Sequence, residues 1–433
     1  MSSLDDAFNH LRAGEAEQAL KIAMLELDED PKNLRALMIA GRAFLDLKRP
    51  GLAEVVLRRA VQISPRDTLL LSYLGLALNM SHQPELAEEV MRLTLSIDPR
   101  HPIALDAMSL IKINQADPLG AIRYANKSLA AKEDINIAQN AGFAYLLNAD
   151  YKQGWPLYNL GIGNDSDRKE RFYQNENRWD GTKGLTVVAF GEQGIGDEIQ
   201  FASAIPDLLK DCKVIIECDH RLEGLFKRSF DCPVFGTRYR EATWVDDFKI
   251  DAHVAFSSLM EFYRNKKEDF PKTPYLKADP ERRKWWRAVL DQYPGRKIGI
   301  AWKAGIPITG KKKRSLPLEE LLKLKGQDTF ISLEHKDPGD CGVLNFSRFI
   351  NTKDYDDTAA LVAELDHVIS STTAIVDLCG ALGKSCDVFV PSVPHWKYGF
   401  GEMDWYKVNL FRQLPGEQWP KTLRRYASLH RNG

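Results

Sequence analysis

Three prolines, Pro31, Pro65 and Pro99, stand 34 residues apart. Each follows an amphipathic run, closed by Leu27-Asp28-Glu29-Asp30, Gln62-Ile63-Ser64 or Ser96-Ile97-Asp98. Upstream of Pro65 come Leu37, Ala40, Gly41, Phe44, Ala53, Leu57 and Ala60; upstream of Pro99, at the same offsets, come Leu71, Leu74, Gly75, Leu78, Ala87, Met91 and Thr94. Small residues where two helices must touch, large ones beside them and a proline that ends the second helix leave few folds open. Such a unit cannot bury its apolar face alone, so it must stack on copies of itself.

A fourth unit follows with Leu105, Met108, Ala121 and Ala125, Glu133 taking the proline position. A fifth is partial, with Ala141-Gly142 and Tyr145, and the first keeps Ala7, Ala19 and Ala23. This is the tetratricopeptide pattern, and it predicts a helical solenoid of four to five pairs over residues 1–150. Such an array presents a concave groove suited to a peptide or protein partner; the alternative is that it caps or dimerises the rest of the chain. From Asp150 to Gly184 the rhythm stops. Gly154-Trp155, Asn164-Asp165-Ser166-Asp167 and Arg178-Trp179-Asp180-Gly181 read as turn-rich connections, so 151–184 is expected to be a linker.

The length of 433 residues suggests about three domains at roughly 150 residues each. A net charge of −1 supplies no global attraction to nucleic acid or to an anionic membrane. No apolar run reaches the ~20 residues that span a bilayer, and Met1 does not open a secretory signal, so a cytoplasmic protein is expected. The six cysteines form no Cys-x-x-Cys and have no histidine at zinc-finger spacing; reduced thiols and no metal site are expected.

After residue 184, strand-like and helix-like runs alternate, which predicts parallel sheets. Leu185–Phe190, Lys213–Cys218 and Ala252–Phe256 belong to one α/β unit, at 185–280. Lys297–Trp302, Thr329–Leu333, Phe346–Ile350, His367–Ser371 and Cys386–Val390 belong to another, at 281–433. Helices are expected at Leu318–Leu324, Asp357–Leu365 and Thr373–Leu382.

In such folds ligands bind beyond the carboxyl ends of the strands. The first strand runs into Gly191-Glu192-Gln193-Gly194-Ile195-Gly196-Asp197, a glycine-rich turn that lets a ligand approach backbone N–H groups at a helix start. Asp197 followed three residues later by Gln200 also fits a capping box. At the other strand ends stand Trp302 and Lys303, the run Lys311–Arg314 with Ser315, then Glu334 with His335. Thr372 and Thr373 open a helix, and His395 and Trp396 lie in a proline-bounded loop. Cations, hydroxyls and a helix start on one side suit a phosphate-bearing ligand, with Glu334 in the ribose position. In the cationic run Arg314 is the candidate for phosphate, the lysines being expected in solvent.

Taken in order, several segments carry a resemblance: Arg178-Trp179-Asp180-Gly181, the Gly191–Asp197 run, Arg314-Ser315-Leu316-Pro317-Leu318 and Ile331-Ser332-Leu333-Glu334. Asp354-Tyr355-Asp356-Asp357-Thr358-Ala359-Ala360-Leu361, Ala381-Leu382-Gly383-Lys384 and Leu410-Phe411-Arg412-Gln413 continue it. The chain resembles tetratricopeptide-linked relatives of the ADP-heptose:lipopolysaccharide heptosyltransferases, which have the GT-B fold of two Rossmann-like domains. The resemblance implies a metal-independent, inverting transfer from a nucleotide-sugar co-substrate, with no cofactor and Asp197 as general base. It puts the acceptor on the 185–280 side, along Glu192, Gln193, Gly194 and Gly196. The nucleotide sugar falls on the 281–433 side, at Trp302, Lys303, Arg314, Ser315, Glu334, Thr372, Thr373 and Asp377. At the helix start the family pattern is Asp-Thr with a histidine four residues after the threonine. Here Thr372 replaces the acid and Asp377 the histidine, which leaves the donor sugar open.

The expected acceptor is a protein held by the array. A saccharide, a lipid-linked glycan or a modified nucleobase is the second reading, the charge arguing against nucleic acid. A scaffold with a degenerate transferase half is the third.

Overall fold

The computed structural model describes residues 3–164, 168–305, 311–351 and 353–430. Asp165, Ser166 and Asp167, expected among the connecting turns, lie outside that set. The chain divides into two compact units, Met1–Tyr145 and Leu146–Gly433.

The first unit is a tetratricopeptide array. Its helices pair as α1 (Ser3–Arg12) with α2 (Ala16–Glu29), α3 (Leu34–Asp46) with α4 (Pro50–Ile63), α5 (Thr68–Met80) with α6 (Pro84–Ile97) and α7 (Pro102–Asn114) with α8 (Pro118–Ala131); α9 (Ile135–Leu147) follows. The repeat writes its own helix ends. Asn33, Asp67 and His101 accept backbone N–H bonds at the starts of α3, α5 and α7. Pro50, Pro84 and Pro118 open the second helices, where a missing N–H costs nothing. Between paired helices the contact position must be small: a Cβ on Gly41 would lie 2.5 Å from Leu57 Cδ2, and one on Gly75 2.4 Å from Met91 Cε.

The turn inside each pair is a Schellman motif. Arg49 N–H returns to Phe44 O, Gln83 to Leu78 and Asp117 to Lys112, with Lys48, His82 and Ala116 left-handed between them at φ 57°, 62° and 59°. Only the first pair has glycine there, Gly14 at φ 78°. A left-handed residue with a Cβ carries about 1–2 kcal/mol of strain, part of which glycine returns as extra freedom in the unfolded chain. Ala116→Gly is therefore expected to stabilise the array by about 1 kcal/mol. Urea unfolding measures this, and an unmoved or lower midpoint rejects it.

The second unit opens with α10 (Tyr151–Asn159), inside the stretch expected to be a linker. The correction has a packing reason: Trp155 is fully buried, its indole N–H donates to Arg264 O at 2.7 Å, and its ring stacks edge-on against Trp396 at 5.6 Å. Further along the expected linker, Arg178 bridges His253 in parallel and Trp179 N–H bonds His253 O, so this backbone extends a sheet edge.

The first sheet comprises β1 (Thr186–Phe190), β2 (Lys213–Glu217), β3 (Val234–Phe235) and β4 (Ala252–Ala255), all parallel in the order β3-β2-β1-β4. Helices α11 (Ile195–Phe201), α12 (Ile205–Asp211), α13 (Glu223–Ser229) and α14 (Leu259–Tyr263) connect or follow its strands. After α15 (Pro280–Leu290) the second sheet is built from β5 (Lys297–Ala301), β6 (Thr329–Ser332), β7 (His367–Ser371), β8 (Cys386–Val390) and β9 (Asn409–Arg412). It too is parallel, in the order β6-β5-β7-β8-β9. Its helices are α16 (Lys311–Arg314), α17 (Leu318–Leu322), α18 (Asp356–Glu364), α19 (Ala374–Leu382) and α20 (Trp419–His430).

Strands buried on both faces read as continuous apolar runs, which is why β1, β2, β5, β7 and β8 fall where expected. The strand expected at Phe346–Ile350 does not form. Only Leu344 bridges Ile331, and Phe346 begins a turn that packs on Trp286. Among the described residues no helix is long and apolar enough to cross a membrane.

Candidate functional site

In each sheet the strand order reverses beside the first strand, between β1 and β4 and between β5 and β7. Crevices at such points are where open α/β sheets bind ligands. Two glycines shape the first one. A Cβ on Gly191 would lie 2.3 Å from the Glu198 carboxylate carbon, and one on Gly196 would lie 2.9 Å from Asp377 Oδ2 and 3.1 Å from Ala374 Cα. The missing side chain at Gly196 lets α11 lie directly against α19.

Helix α11 starts at Ile195 behind Gly194, with no side-chain capping bond. The capping box of Asp197 with Gln200 is thus absent. Asp197 sits half-buried in the first turn, and Gln200 is buried with neither amide atom bonded among the described residues. The loop before it is pinned from both sides. The Gln193 amide donates to Tyr158 Oη at 2.9 Å and to Glu192 Oε1 at 3.1 Å. Glu192 is itself buried 4.0 Å from Arg168, whose guanidinium covers the Tyr158 ring. Arg238 donates to Gln193 O and pairs with buried Glu198. Burial pushes that carboxyl up to about 8 although Arg238 opposes the shift.

Asp197 is electrostatically coupled to Tyr158, Arg314, Asp377 and Lys397. Asp377 is fully buried on α19 and accepts from Lys397 Nζ at 2.9 and 3.1 Å. Burial pushes its carboxyl up to about 6, with Lys397 opposing. For Lys397 burial works the other way, but Asp377, Tyr398 and Asp197 outweigh it and hold the ammonium charged. Arg314 is half-buried. Its Nε has no hydrogen-bond partner among the described residues. Burial lowers its pKa, with Tyr398 and Asp197 opposing. His395 opens to solvent, while the enclosing walls and then Lys397 and Arg314 hold its imidazole below the ordinary value.

The remaining expected donor residues divide. Lys303 is exposed, its ammonium 5.5 Å from the Trp302 ring centroid. Trp302, expected at the nucleotide sugar, is 3% exposed and packs with Ile298, Ile300, Phe330 and Phe389 in the core. The Ser315 hydroxyl is already engaged, accepting from Ala304 N–H at 3.0 Å and donating to Lys311 O at 2.7 Å. Glu334 Oε1 accepts from Trp302 and Lys303 N–H at 2.9 and 2.8 Å, which ties β6 to the end of β5. Thr373 caps α19 through Ile375 N–H. Thr372 Oγ1 and Ser371 Oγ are buried without partners among the described residues, as are the hydroxyls of Tyr355 and Tyr398, both coupled to Asp377. Unpartnered buried polar atoms on this scale call for an occupant, water or ligand.

Three contributors escaped the sequence reading: Lys397, Tyr398 and Tyr158. The first two adjoin His395 and Trp396, whose strand-end position was a usable signal. Tyr158 had none, because its role depends on α10 folding back to Gln193. Among the described residues no group of three or more His, Cys, Asp or Glu is placed to hold a metal ion.

No family model matches the sequence. Protein FlbA of Caulobacter vibrioides is 27% identical over 345 residues, covering 71% of this chain and 57% of FlbA. The chain therefore spans a little over half the length of that relative. Among solved structures, a thermophilic tetratricopeptide protein of Thermus thermophilus is 18% identical with a TM-score of 0.34, over 36% of this chain and 87% of that one. Pseudomonas aeruginosa pilF is 16% identical with a TM-score of 0.34, over 48% and 83%. The second tetratricopeptide domain of human RPAP3, in complex with an HSP70 peptide, is 19% identical with a TM-score of 0.25, over 26% and 92%.

Proposed function

We propose that the protein is a glycosyltransferase of the GT-B type. It moves a sugar from a nucleotide sugar to an acceptor hydroxyl with inversion and without a metal, while the helical array presents a protein acceptor. The observation that carries this reading is the approach of α11 to α19, which sets Asp197 opposite Arg314, Lys397 and the start of α19. A carboxylate within electrostatic reach of Arg314 and of the Asp377–Lys397 pair suits the charge flow of such a transfer.

Asp197 takes the proton of the acceptor hydroxyl as its oxygen attacks the anomeric carbon. The bond from that carbon to the phosphate oxygen breaks, and the electron pair leaves with the nucleotide. Arg314 and Lys303 stabilise the departing charge. Lys397 serves through Asp377, holding α19 and the His395 loop at the crevice. Linking the acceptor-binding array to the same chain raises the local acceptor concentration. The acceptor identity and the sugar follow from screening.

The test is a nucleotide-sugar and nucleoside-diphosphate panel read by thermal unfolding and by nucleotide release. A ligand at 100 times its dissociation constant stabilises the folded state by about 2.7 kcal/mol. Arg314→Gln is expected to weaken that binding about 10–100-fold, the loss of one charge-assisted contact. If no nucleotide or nucleotide sugar shifts the transition of the unmodified protein, the transferase reading fails and a binding scaffold replaces it.

A further inference from the structure

One titratable side chain in the second unit faces a cavity that the proposed reaction does not use. His253 lies on β4, on the same face as Ala255 and as Val188 and Phe190 of the paired strand. That face also carries buried Glu217, opposite Phe190 on β2, but Arg171, Tyr173 and Thr237 satisfy its oxygens, whereas the imidazole needs a partner of its own. His253 is 1% exposed, and its Nε2 has no hydrogen-bond partner among the described residues. The nearest anion is Glu170, whose Oε1 lies 3.7 Å away, beyond hydrogen-bond range, and both of whose oxygens are engaged by Arg178. Burial lowers the imidazole pKa, which favours the neutral ring. A buried polar nitrogen left unpaired costs about 1–3 kcal/mol, so its retention beside an open volume points to an occupant.

That volume is a cavity of about 230 Å³, room for roughly eight water molecules. Its walls are aromatic, from Trp179, Phe190 and Phe262. Its polar groups are mostly acceptors. Asn159 donates to Glu261 at 3.1 Å, which leaves its own Oδ1 buried and unpaired, and Ser258 and His253 complete the set. An anion would face Glu170 and Glu261. Arg178 cancels Glu170, and Glu261, whose Oε2 already accepts from the Asn159 amide, remains as a further acceptor for hydroxyl donors. What remains is a small neutral molecule with several hydroxyl donors on a frame whose C–H faces lie flat on aromatic rings.

We infer that this cavity is a second ligand site, separate from the Asp197 crevice, that binds a monosaccharide-sized polyol through His253 and Asn159. Its occupant bonds Nε2 of one and Oδ1 of the other, and the aromatic walls hold its ring. The site does not rest on glycosyl transfer. A binding scaffold would carry it equally.

The experiment uses the full chain, isotopically labelled at histidine nitrogens, with D-glucose, D-galactose and N-acetyl-D-glucosamine as probes and n-butylammonium and acetate as charge controls. At least one sugar is expected to give saturation-transfer signals and to shift the His253 Nε2 resonance. His253→Phe keeps an aromatic ring in place, and Asn159→Leu removes the acceptor from outside the sheet. Each is expected to weaken the sugar about tenfold or more, or about 1.4 kcal/mol, with nucleotide binding at the other crevice unchanged. Failure of all three sugars, binding of n-butylammonium or acetate alone, or sugar binding that survives in both variants while the histidine spectrum shows a folded protein, each overturns the assignment.

Discussion

Asp197→Asn is expected to lower sugar transfer by about 10²–10⁴-fold, the usual worth of a general base, while nucleotide binding stays within about twofold. The asymmetry follows from position. Asp197 stands in the first turn of α11, whereas the cations of the crevice come from Lys303, Arg314 and Lys397 on the segments around the second sheet. Asparagine preserves shape and removes only the proton acceptor, so the loss falls on kcat. Glycine backbone, not Asp197, caps α11, and the substitution should leave the unfolding midpoint nearly unchanged. A large fall in stability would return Asp197 to a structural role; unchanged transfer with intact folding would move the base elsewhere. Nucleotide-sugar hydrolysis and transfer, measured beside thermal unfolding, separate these outcomes.

Lys397→Met is expected to cost about 3–5 kcal/mol of stability near neutral pH, because it strands the carboxylate of Asp377 in a site with no exposure. The pH dependence has a definite sign. In the intact protein the Asp377 pKa is raised to about 6, so its contribution to stability is fully present below the ordinary carboxylate range and is lost as pH rises through about 6. Without Lys397 the carboxyl moves higher still, and the penalty extends upward in pH. Urea unfolding at pH 5 and pH 8 should show a small deficit at the lower pH and a large one at the higher. Asp377→Asn combined with Lys397→Met should recover much of the loss, since the lone charge is gone. Equal deficits at both pH values, or no recovery in the double variant, would mean that Lys397 acts through packing alone.

The repeat array could be read from the chain because each of its determinants is local. The small residue at Gly41 and Gly75, the prolines that open α4, α6 and α8, and the caps at Asn33 and Asp67 all act within one 34-residue unit. The strands of the two parallel sheets were legible for a similar reason, their apolar runs being buried on both faces. The Asp197 loop and Arg314 could be placed at strand ends without knowing what they face. Trp302 and Ser315 show where this stops: a tryptophan or hydroxyl at a strand end looks the same whether it meets a ligand or the core. Trp302 packs in the second core, and the Ser315 hydroxyl bridges Ala304 and Lys311.

Sequence by itself thus determined the helical period, the succession of strands and helices and the glycine-rich turn that ends in Asp197, because those depend on neighbours a few residues away. Only the tertiary structure decided what Asp197 confronts. Lys397 finds Asp377 across 20 positions, Tyr158 finds Gln193 across 35, and Gly196 admits α19 because nothing projects from it. Charges and contacts brought together by folding leave no periodic trace along the chain, since each partner is an ordinary residue in its own local setting.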